Sequence, residues 1–173
     1  RYGIELFIGV LSAALKKDQL DAAGYEQMIA NTTKLNTPGP DLAALPGVHA
    51  LTDVTGFGLA GHALEMARGA RCDVHLDWRA VPLLNGVRAL AAQGFVTGAS
   101  GRNWAGYGSD VVLPSSFASE DQALLTDPQT SGGLLVTCDA SAVDKVLAIF
   151  REHGFAQAAA VGRIGAAKAS GAR

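Results

Sequence analysis

The residues best suited to chemistry lie between Thr52 and His62, in the sequence TDVTGFGLAGH. An apolar run ends at the carboxylate of Asp53, three glycines follow, and a helical pattern begins after them, which predicts a strand, a turn and a helix. Backbone amides at the start of such a helix are unpaired, and glycine lets a phosphate approach without a Cβ in the way. The stretch therefore predicts an anion site. Its candidate contacts are Thr55, Gly56 and Gly58.

Two interpretations of this turn compete. Gly56, Gly58 and Gly61 fit the G-x-G-x-x-G fingerprint of dinucleotide-binding domains. Asp77 follows about 20 residues later, as that fingerprint requires. However, Asp53 lies three residues before the first glycine, where its charge would repel a pyrophosphate unless a cation lay between them. A phosphate bridged by a metal ion suits the arrangement better, with Asp53 as the metal ligand.

A second candidate loop is formed by residues 127–135, DPQTSGGLL. Asp127 precedes a proline and therefore favours extended backbone, and the hydroxyls, amides and glycines that follow could form an anion nest before a strand. The segment could equally be a tight turn in which Asp127 and Gln129 hold the loop through hydrogen bonds to backbone. Both interpretations stay open at this point. The candidate ligand contacts are Thr130, Ser131 and Gly132.

Several polar residues have structural alternatives to a role in binding. His62 and Glu65 are three residues apart on the expected helix, so their side chains are neighbours, and a hydrogen-bonded pair is favoured over a metal site. Asp53 could cap the helix that follows it instead of binding a metal. Cys72 and Cys138 lie within apolar runs and lack metal-ligand spacing, which favours buried structural thiols.

The two candidate loops together resemble a known family. Residues 52–62, followed by Glu65-Met66-Ala67, resemble the T-D-V-T-G-F-G-L-x-G-H-x-x-E-M-A signature of the selenophosphate synthetases (selenide, water dikinases). Residues 127–135 resemble the second C-terminal signature of the same family, in the expected order along the chain. The resemblance covers nearly the whole chain. It implies the C-terminal domain of the aminoimidazole ribonucleotide synthetase superfamily.

That resemblance implies phosphoryl transfer, in which ATP and Mg²⁺ convert selenide and water to selenophosphate and release AMP and phosphate. Selenophosphate is the selenium donor in selenocysteine biosynthesis. Asp53 corresponds to one metal-binding carboxylate of the family, whereas the nucleophilic cysteine or selenocysteine, a lysine and further metal-binding aspartates belong to an N-terminal domain upstream of Arg1. We therefore expect no catalytic residue in this chain and no activity from it alone. We expect its N-terminal domain as a partner, a homodimer for the complete protein, and a monomeric or weakly associated isolated chain.

Two other functions remain open from the sequence. One is a related ATP-dependent synthetase of the superfamily that acts on another substrate, such as an amidine synthetase of purine synthesis. The other is a dinucleotide-binding module. Titration with NAD against ATP plus Mg²⁺ would separate the module from both synthetases, whereas only the upstream sequence would separate the two synthetases.

The composition predicts one globular domain spanning residues 1–173. The chain is 49% hydrophobic and 17% charged, and it is long enough to bury a substantial core. A net charge of -2 gives no basic surface for direct nucleic-acid binding, and no apolar run approaches the roughly 18 residues expected of a membrane span. We expect a soluble, cytoplasmic protein.

Alternating strand and helix patterns predict an α+β fold, a layered αβ sandwich in which a mixed β-sheet packs against helices. Strands are expected at residues 48–53, 72–77, 110–114, 134–138 and 158–164. Helices are expected at residues 9–17, 41–45, 82–92 and 120–125, after the caps Asp21 and Ser141, and from the first signature to near Gly69. In the helix after Asp21, the residues expected to face the core are Tyr25, Met28 and Ile29.

Residues 94–108 contain five glycines and no periodic pattern of apolar residues, which predicts a long surface loop. Residues from about 165 to 173 should be a flexible tail.

Overall fold

The computed structural model describes residues 8–167. This part of the chain contains both helices and antiparallel strand pairs, which confirms the α+β prediction. The helices are α1 (Ile8–Leu15), α2 (Ala22–Thr32), α3 (Gly39–Ala44), α4 (Gly58–Ala70), α5 (Val87–Ala92), α6 (Gly98–Tyr107), α7 (Ser119–Leu125) and α8 (Val143–Glu152). The strands are β1 (Val48–Asp53), β2 (Cys72–Leu76), β3 (Leu134–Cys138) and β4 (Gly162–Ala167). Short 3₁₀ turns occupy Trp78–Ala80, Gly108–Asp110 and Ala140–Ala142.

The strands form two antiparallel pairs, β1 with β3 and β2 with β4. A mixed sheet was expected, but both pairs within residues 8–167 are antiparallel. In the first pair Asp53 lies opposite Leu134, so the last residue of β1 faces the first residue of β3. The turn after β1 and the loop before β3 therefore leave the same end of the sheet. This register brings the two sequence signatures side by side.

Two apolar clusters hold the elements in place. The first joins α1, α4, α5 and α7 to the ends of β1 and β3, and the second lies between β3, α3 and α8. Fully buried members of the first cluster include Val10, Leu11, Val54, Val87 and Leu124, and those of the second include Leu42, Val136, Val146 and Phe150. Burying one such side chain stabilises the fold by about 1.5–3 kcal/mol. Because the Val54 side chain is fully buried in the core, the first residue of the turn after β1 is held in place by packing.

Several elements lie where the sequence predicted them. Residues 48–53 and 134–138 form strands with the expected bounds, and α1, α7 and β2 match their predictions within two residues. Asp21 caps α2, because its carboxylate accepts a hydrogen bond from the Gly24 amide at 2.7 Å. Cys72 is buried, Cys138 is partly buried, and neither forms a disulfide. No helix in the described part of the chain is long and apolar enough to cross a membrane.

The predicted surface loop at residues 94–108 is wrong, since most of it forms α6. Thr97 caps this helix by accepting a hydrogen bond from the Ser100 amide at 3.1 Å. Ser100 is buried and bonds to Thr126, at the end of α7. Glycine disfavours a helix by only about 1 kcal/mol per residue, so a cap and tertiary contacts can outweigh it.

Other expected elements are shorter, absent or differently placed. The helix expected at 82–92 begins only at Val87, because Gly86 adopts a left-handed conformation with φ of 77°. Residues 111–114 form no strand, and Val112 is 96% exposed. Ser141 lies in a 3₁₀ turn and does not cap α8, and the last strand begins at Gly162 instead of residue 158. The predicted tail from about 165 overlaps the end of β4, and its residues 168–173 lie outside the described range.

The predicted core face of α2 is also wrong. Tyr25 and Ile29 are exposed, Met28 is only partly buried, and α2 contains no buried residue. The helix packs chiefly against α1, with only partly buried side chains. Apolar residues at helical spacing therefore identified the helix correctly but not the surface that it buries.

Candidate functional site

The two sequence signatures form one site, which we call the paired-turn site and define as residues 53–58 and 126–133. The Val54 amide donates to the Gly133 carbonyl at 2.9 Å, and the Gln129 amide donates to the Thr55 carbonyl at 3.0 Å. These bonds continue the β1–β3 pairing beyond the strand ends. Each turn therefore forms a backbone hydrogen bond with the other, and these two bonds fix the position of one turn relative to the other.

Asp53 is exposed at the end of β1. Its carboxylate makes no hydrogen bond or ion pair with any residue between 8 and 167. The N-terminal cap of α4 is Phe57, without a side-chain hydrogen bond, so Asp53 does not act as the cap that the sequence left open. A strand-end carboxylate without a protein partner is available to a cation.

The described residues offer one candidate metal ligand here, Asp53, and not a complete set. Within residues 8–167, no group of three or more His, Cys, Asp or Glu side chains could hold a metal ion. Mg²⁺ usually binds one or two protein carboxylates and completes its octahedron with water and substrate phosphates. Asp53 fits such a shared site as a single oxygen ligand.

His62 holds the turn from inside. It is buried, and its Nε2 accepts a hydrogen bond from the Thr55 amide at 3.0 Å and lies 3.3 Å from the Thr55 hydroxyl. Because Nε2 is an acceptor, the ring proton lies on Nδ1, which is 3.3 Å from the Glu65 carboxylate but without good hydrogen-bond geometry. His62 and Glu65 are therefore neighbours, as their spacing predicts, but they do not form the expected hydrogen bond. The Thr55 amide is occupied by His62, so its predicted ligand contact is limited to the hydroxyl.

The three predicted glycine contacts have different surroundings. Gly58 is left-handed, with φ of 69°, and an added Cβ would lie 2.7 Å from the Thr126 carbonyl carbon. At Gly132 an added Cβ would lie 1.6 Å from the Val54 oxygen. Gly56 has open space, with nothing within 4 Å of such an atom. Only Gly56 therefore leaves room for a ligand, whereas the other two let the turns approach each other.

Thr130 and Ser131 lie at the exposed edge of the second turn. Ser131 adopts a left-handed conformation with φ of 54°, which is uncommon for a residue with a side chain. Neither hydroxyl bonds to another residue in the described part of the chain. Both remain accessible to a ligand at the rim of the site.

Asp127 and Gln129 accept hydrogen bonds from backbone amides, as one of the two interpretations of this loop expected, but the amides belong to α1, a partner that the sequence did not indicate. The Val10 amide donates to the Asp127 carboxylate at 3.2 Å, and the Ile8 amide donates to the Gln129 side-chain oxygen at 3.1 Å. An added Cβ at Gly9 would lie 2.3 Å from the same carboxylate. Burial raises the pKa of Asp127 from 3.8 to about 7, although neighbouring donors oppose this shift. Both side chains therefore fasten the start of α1 to the site.

Two asparagines that were not predicted as site residues bond to the paired-turn site. Asn36 donates to the Gly132 carbonyl at 2.9 Å. Asn103, on α6, donates to the carbonyls of Gly56 and Thr126 at 2.8 and 3.0 Å. Neither asparagine was assigned a role from the sequence, and Asn103 lay in a segment that was expected to be a loop.

The raised pKa of Asp127 predicts how stability depends on pH. The folded state retains a proton up to about pH 7 that the unfolded state loses near pH 4, so the stabilisation is full below pH 4 and is lost as pH rises through 7. Relative to an Asp127→Asn variant, the wild-type free energy of unfolding should fall by up to about 1.4 kcal/mol per pH unit over this range. Urea unfolding at several pH values measures it. A wild type that instead gains stability relative to Asp127→Asn as pH rises would show that the pKa of Asp127 is lowered and that the buried carboxyl group is ionised.

Residues 4–173 match the family described as AIR synthase related protein, C-terminal domain. The chain belongs to this family. Related proteins named selenide, water dikinase come from Burkholderia pseudomallei (strain K96243), at 66% identity, and from Pseudomonas straminea, at 60%. Each match covers 94% of this chain but only 46% and 45% of the relative. The AIR synthase related chain thus spans about half the length of these curated relatives, and the family predicted from its two signatures is confirmed.

Solved structures support the fold of this AIR synthase related domain. The Escherichia coli hydrogenase maturation protein HypE matches with a TM-score of 0.64 and 19% identity, covering 94% of this chain and 41% of HypE. A HypE structure in complex with ATP matches with a TM-score of 0.59 and 21% identity, covering 95% of this chain and 42% of HypE. At this identity the likeness establishes the fold alone.

Proposed function

We propose that this chain is the C-terminal domain of a selenide, water dikinase, which uses ATP, Mg²⁺ and water to convert selenide to selenophosphate, AMP and phosphate. One observation carries the proposal: Asp53 is exposed and unpaired within residues 8–167, and Gly56, three residues later in the same turn, has open space around it, while the second signature bonds to the backbone of this turn. The relatives named selenide, water dikinase, at 60–66% identity, support this substrate over another acceptor. The complete protein would act in the cytoplasm.

Phosphoryl transfer requires mainly positioning and charge neutralisation. Bound Mg²⁺ would neutralise the phosphate charge. In this chain Asp53 would supply an oxygen ligand, Gly56 would leave space for phosphate oxygens, and the hydroxyls of Thr130 and Ser131 would lie at the rim. ATP is present in one of the structurally similar HypE proteins, which supports a nucleotide as the substrate.

The remaining machinery would belong to an N-terminal domain. One carboxylate cannot hold a triphosphate in line with a nucleophile, so the isolated chain should make no selenophosphate. We infer that the N-terminal domain supplies the nucleophile and further metal ligands and forms most of a homodimer interface. The isolated chain should then be monomeric or only weakly associated at micromolar concentration, and a stable dimer in light scattering would contradict this.

A dinucleotide-binding module fits the structure poorly. That module requires a parallel sheet with a glycine turn open to the pyrophosphate. Here β1 pairs antiparallel with β3, and Gly58 packs against Thr126. The Asp77 carboxylate, expected on the ribose, accepts the Arg79 amide at 3.2 Å and caps a 3₁₀ turn. With these contacts, neither the glycine turn nor Asp77 has the arrangement that the dinucleotide-binding fingerprint requires.

A chimera tests the proposed function without requiring the upstream sequence. The chain replaces the matching segment of the Burkholderia pseudomallei relative, and AMP formation is measured with ATP and Mg²⁺, with and without selenide. We expect selenide-dependent AMP formation comparable to that of the intact relative. A chimera that unfolds at a normal temperature yet forms AMP only with another acceptor would favour the alternative superfamily synthetase. A folded chimera that forms no AMP with selenide would overturn the proposal.

A further inference from the structure

The face of α6 that contacts the paired-turn site carries polar residues at regular spacing. Ser100, Asn103 and Tyr107 are three and four residues apart, so they lie along one face of the helix. Ser100 bonds to the Ala123 carbonyl at 2.8 Å and to the Thr126 hydroxyl at 2.7 Å. The helix is therefore attached to the end of α7 before it reaches the turn after β1.

Asn103 joins the two turns through one amide group. Its Nδ2 donates to the Gly56 carbonyl at 2.8 Å and to the Thr126 carbonyl at 3.0 Å. An NH₂ group has two hydrogens, so both are used, one on each turn. An aspartate of the same shape would offer no donor and would place its charge against two carbonyl oxygens. The contact therefore requires an amide.

Tyr107 extends this contact to the next carbonyl. Its hydroxyl donates to the Phe57 carbonyl, and its ring lies close to Gly61. Burial raises the pKa of Tyr107 to about 12, so the hydroxyl keeps its proton and remains a donor at neutral pH. Side chains one turn apart on α6 thus hold two consecutive carbonyls, those of Gly56 and Phe57.

Fixing the Gly56 carbonyl also fixes an amide. In a trans peptide the carbonyl of one residue and the N–H of the next point in opposite directions, and the described part of the chain contains no cis peptide. The Phe57 N–H therefore points away from Asn103, and it has no acceptor among the residues that the structure describes. Asp53 lies in the same turn, so a free N–H donor and a free carboxylate belong to one ligand-binding segment.

We propose that Asn103 is a positioning residue that orients the Gly56–Phe57 peptide so that the Phe57 N–H faces a phosphate of the ATP bound at the paired-turn site. The inference rests on the proposed function for the identity of that ligand. Asn103 itself points to two backbone carbonyls and does not touch the substrate. α6 thereby becomes part of the site, as the support that holds its first turn.

The test compares Asn103→Ala and Asn103→Asp with Gly106→Ala in the chimera. Gly106 lies on α6, and an added Cβ there meets no atom within 4 Å, so this variant controls for changes in the helix alone. We expect both Asn103 variants to raise KM for ATP by about 10-fold or more, as loss of a supporting hydrogen bond does in metal sites, with aspartate no better than alanine. Gly106→Ala should leave KM unchanged. A folded Asn103→Ala chimera with a normal KM would overturn the inference.

A second readout separates this inference from the proposed function. In the 173-residue chain, NMR relaxation of the Phe57 amide should show increased mobility in Asn103→Ala and no change in Gly106→Ala. If the wild-type chimera is inactive, the proposed function fails. The mobility of the Phe57 amide in the isolated chain then tests the role of Asn103 by itself. A Phe57 amide that is unchanged in Asn103→Ala would show that the hydrogen bonds do not position this peptide.

Discussion

Replacing Asp53 with asparagine should lower the magnesium-dependent activity of the chimera by at least about 10–100-fold, while its thermal stability barely changes. The carboxylate is exposed at the end of β1 and has no partner within residues 8–167, so the fold loses no contact. Asparagine keeps the shape and the hydrogen-bonding capacity of the side chain but removes its charge. We therefore expect Asp53→Asn to impair magnesium binding without destabilising the fold.

The measurement is AMP formation against magnesium concentration, together with the melting temperature. Asp144→Asn is a matched control, because Asp144 is an exposed carboxylate on α8, away from the paired turns. That control should keep its activity at every magnesium concentration. If Asp53→Asn has near-normal activity at limiting magnesium, Asp53 is not a metal ligand. If the variant instead melts well below the wild type, the carboxylate has a structural role.

Prediction from sequence succeeded where local pattern and tertiary packing agree. β1 and β3 are apolar runs bounded by turn residues, and Val54, which directly follows β1, and Leu134, which begins β3, are buried in the core. α6 was missed because its glycines disfavour a helix locally, and its stability comes from contacts with α7 and the first turn that are distant in sequence. Such contacts cannot be deduced from local spacing.

The candidate site shows the same division. The sequence located both loops, and the register of Asp53 opposite Leu134 brings them together. It could not distinguish a glycine that leaves space for a ligand from one that allows close packing, because that depends on which backbone lies opposite. It also could not determine that Asp127 points to the start of α1, since the partners are 117 residues apart.

Gly132→Ala should destabilise the chain by on the order of 3 kcal/mol or more, whereas Gly56→Ala should leave its stability within about 0.5 kcal/mol of wild type or raise it slightly. A Cβ at Gly132 would lie 1.6 Å from the Val54 carbonyl oxygen and 2.8 Å from the Gln129 Cβ. Val54 is fully buried and its amide is bonded to Gly133, so this backbone cannot move aside without breaking the pairing of the two turns. Gly56 lacks both constraints, since its surroundings are open and its φ is not left-handed.

The two variants should therefore fail in different ways. Urea unfolding of the isolated chain should separate them by stability, and KM for ATP in the chimera should separate them by ligand binding. Gly56→Ala should fold normally but raise KM for ATP by about 10-fold, because its methyl group would occupy the open space at this turn and displace the phosphate from its productive position. If Gly56→Ala keeps a normal KM, no phosphate approaches this glycine, and the ligand site would have to be moved to the second turn. If Gly132→Ala folds with wild-type stability, the two turns are not packed as closely as the Val54 contact requires, and the paired-turn site would not be a single rigid unit.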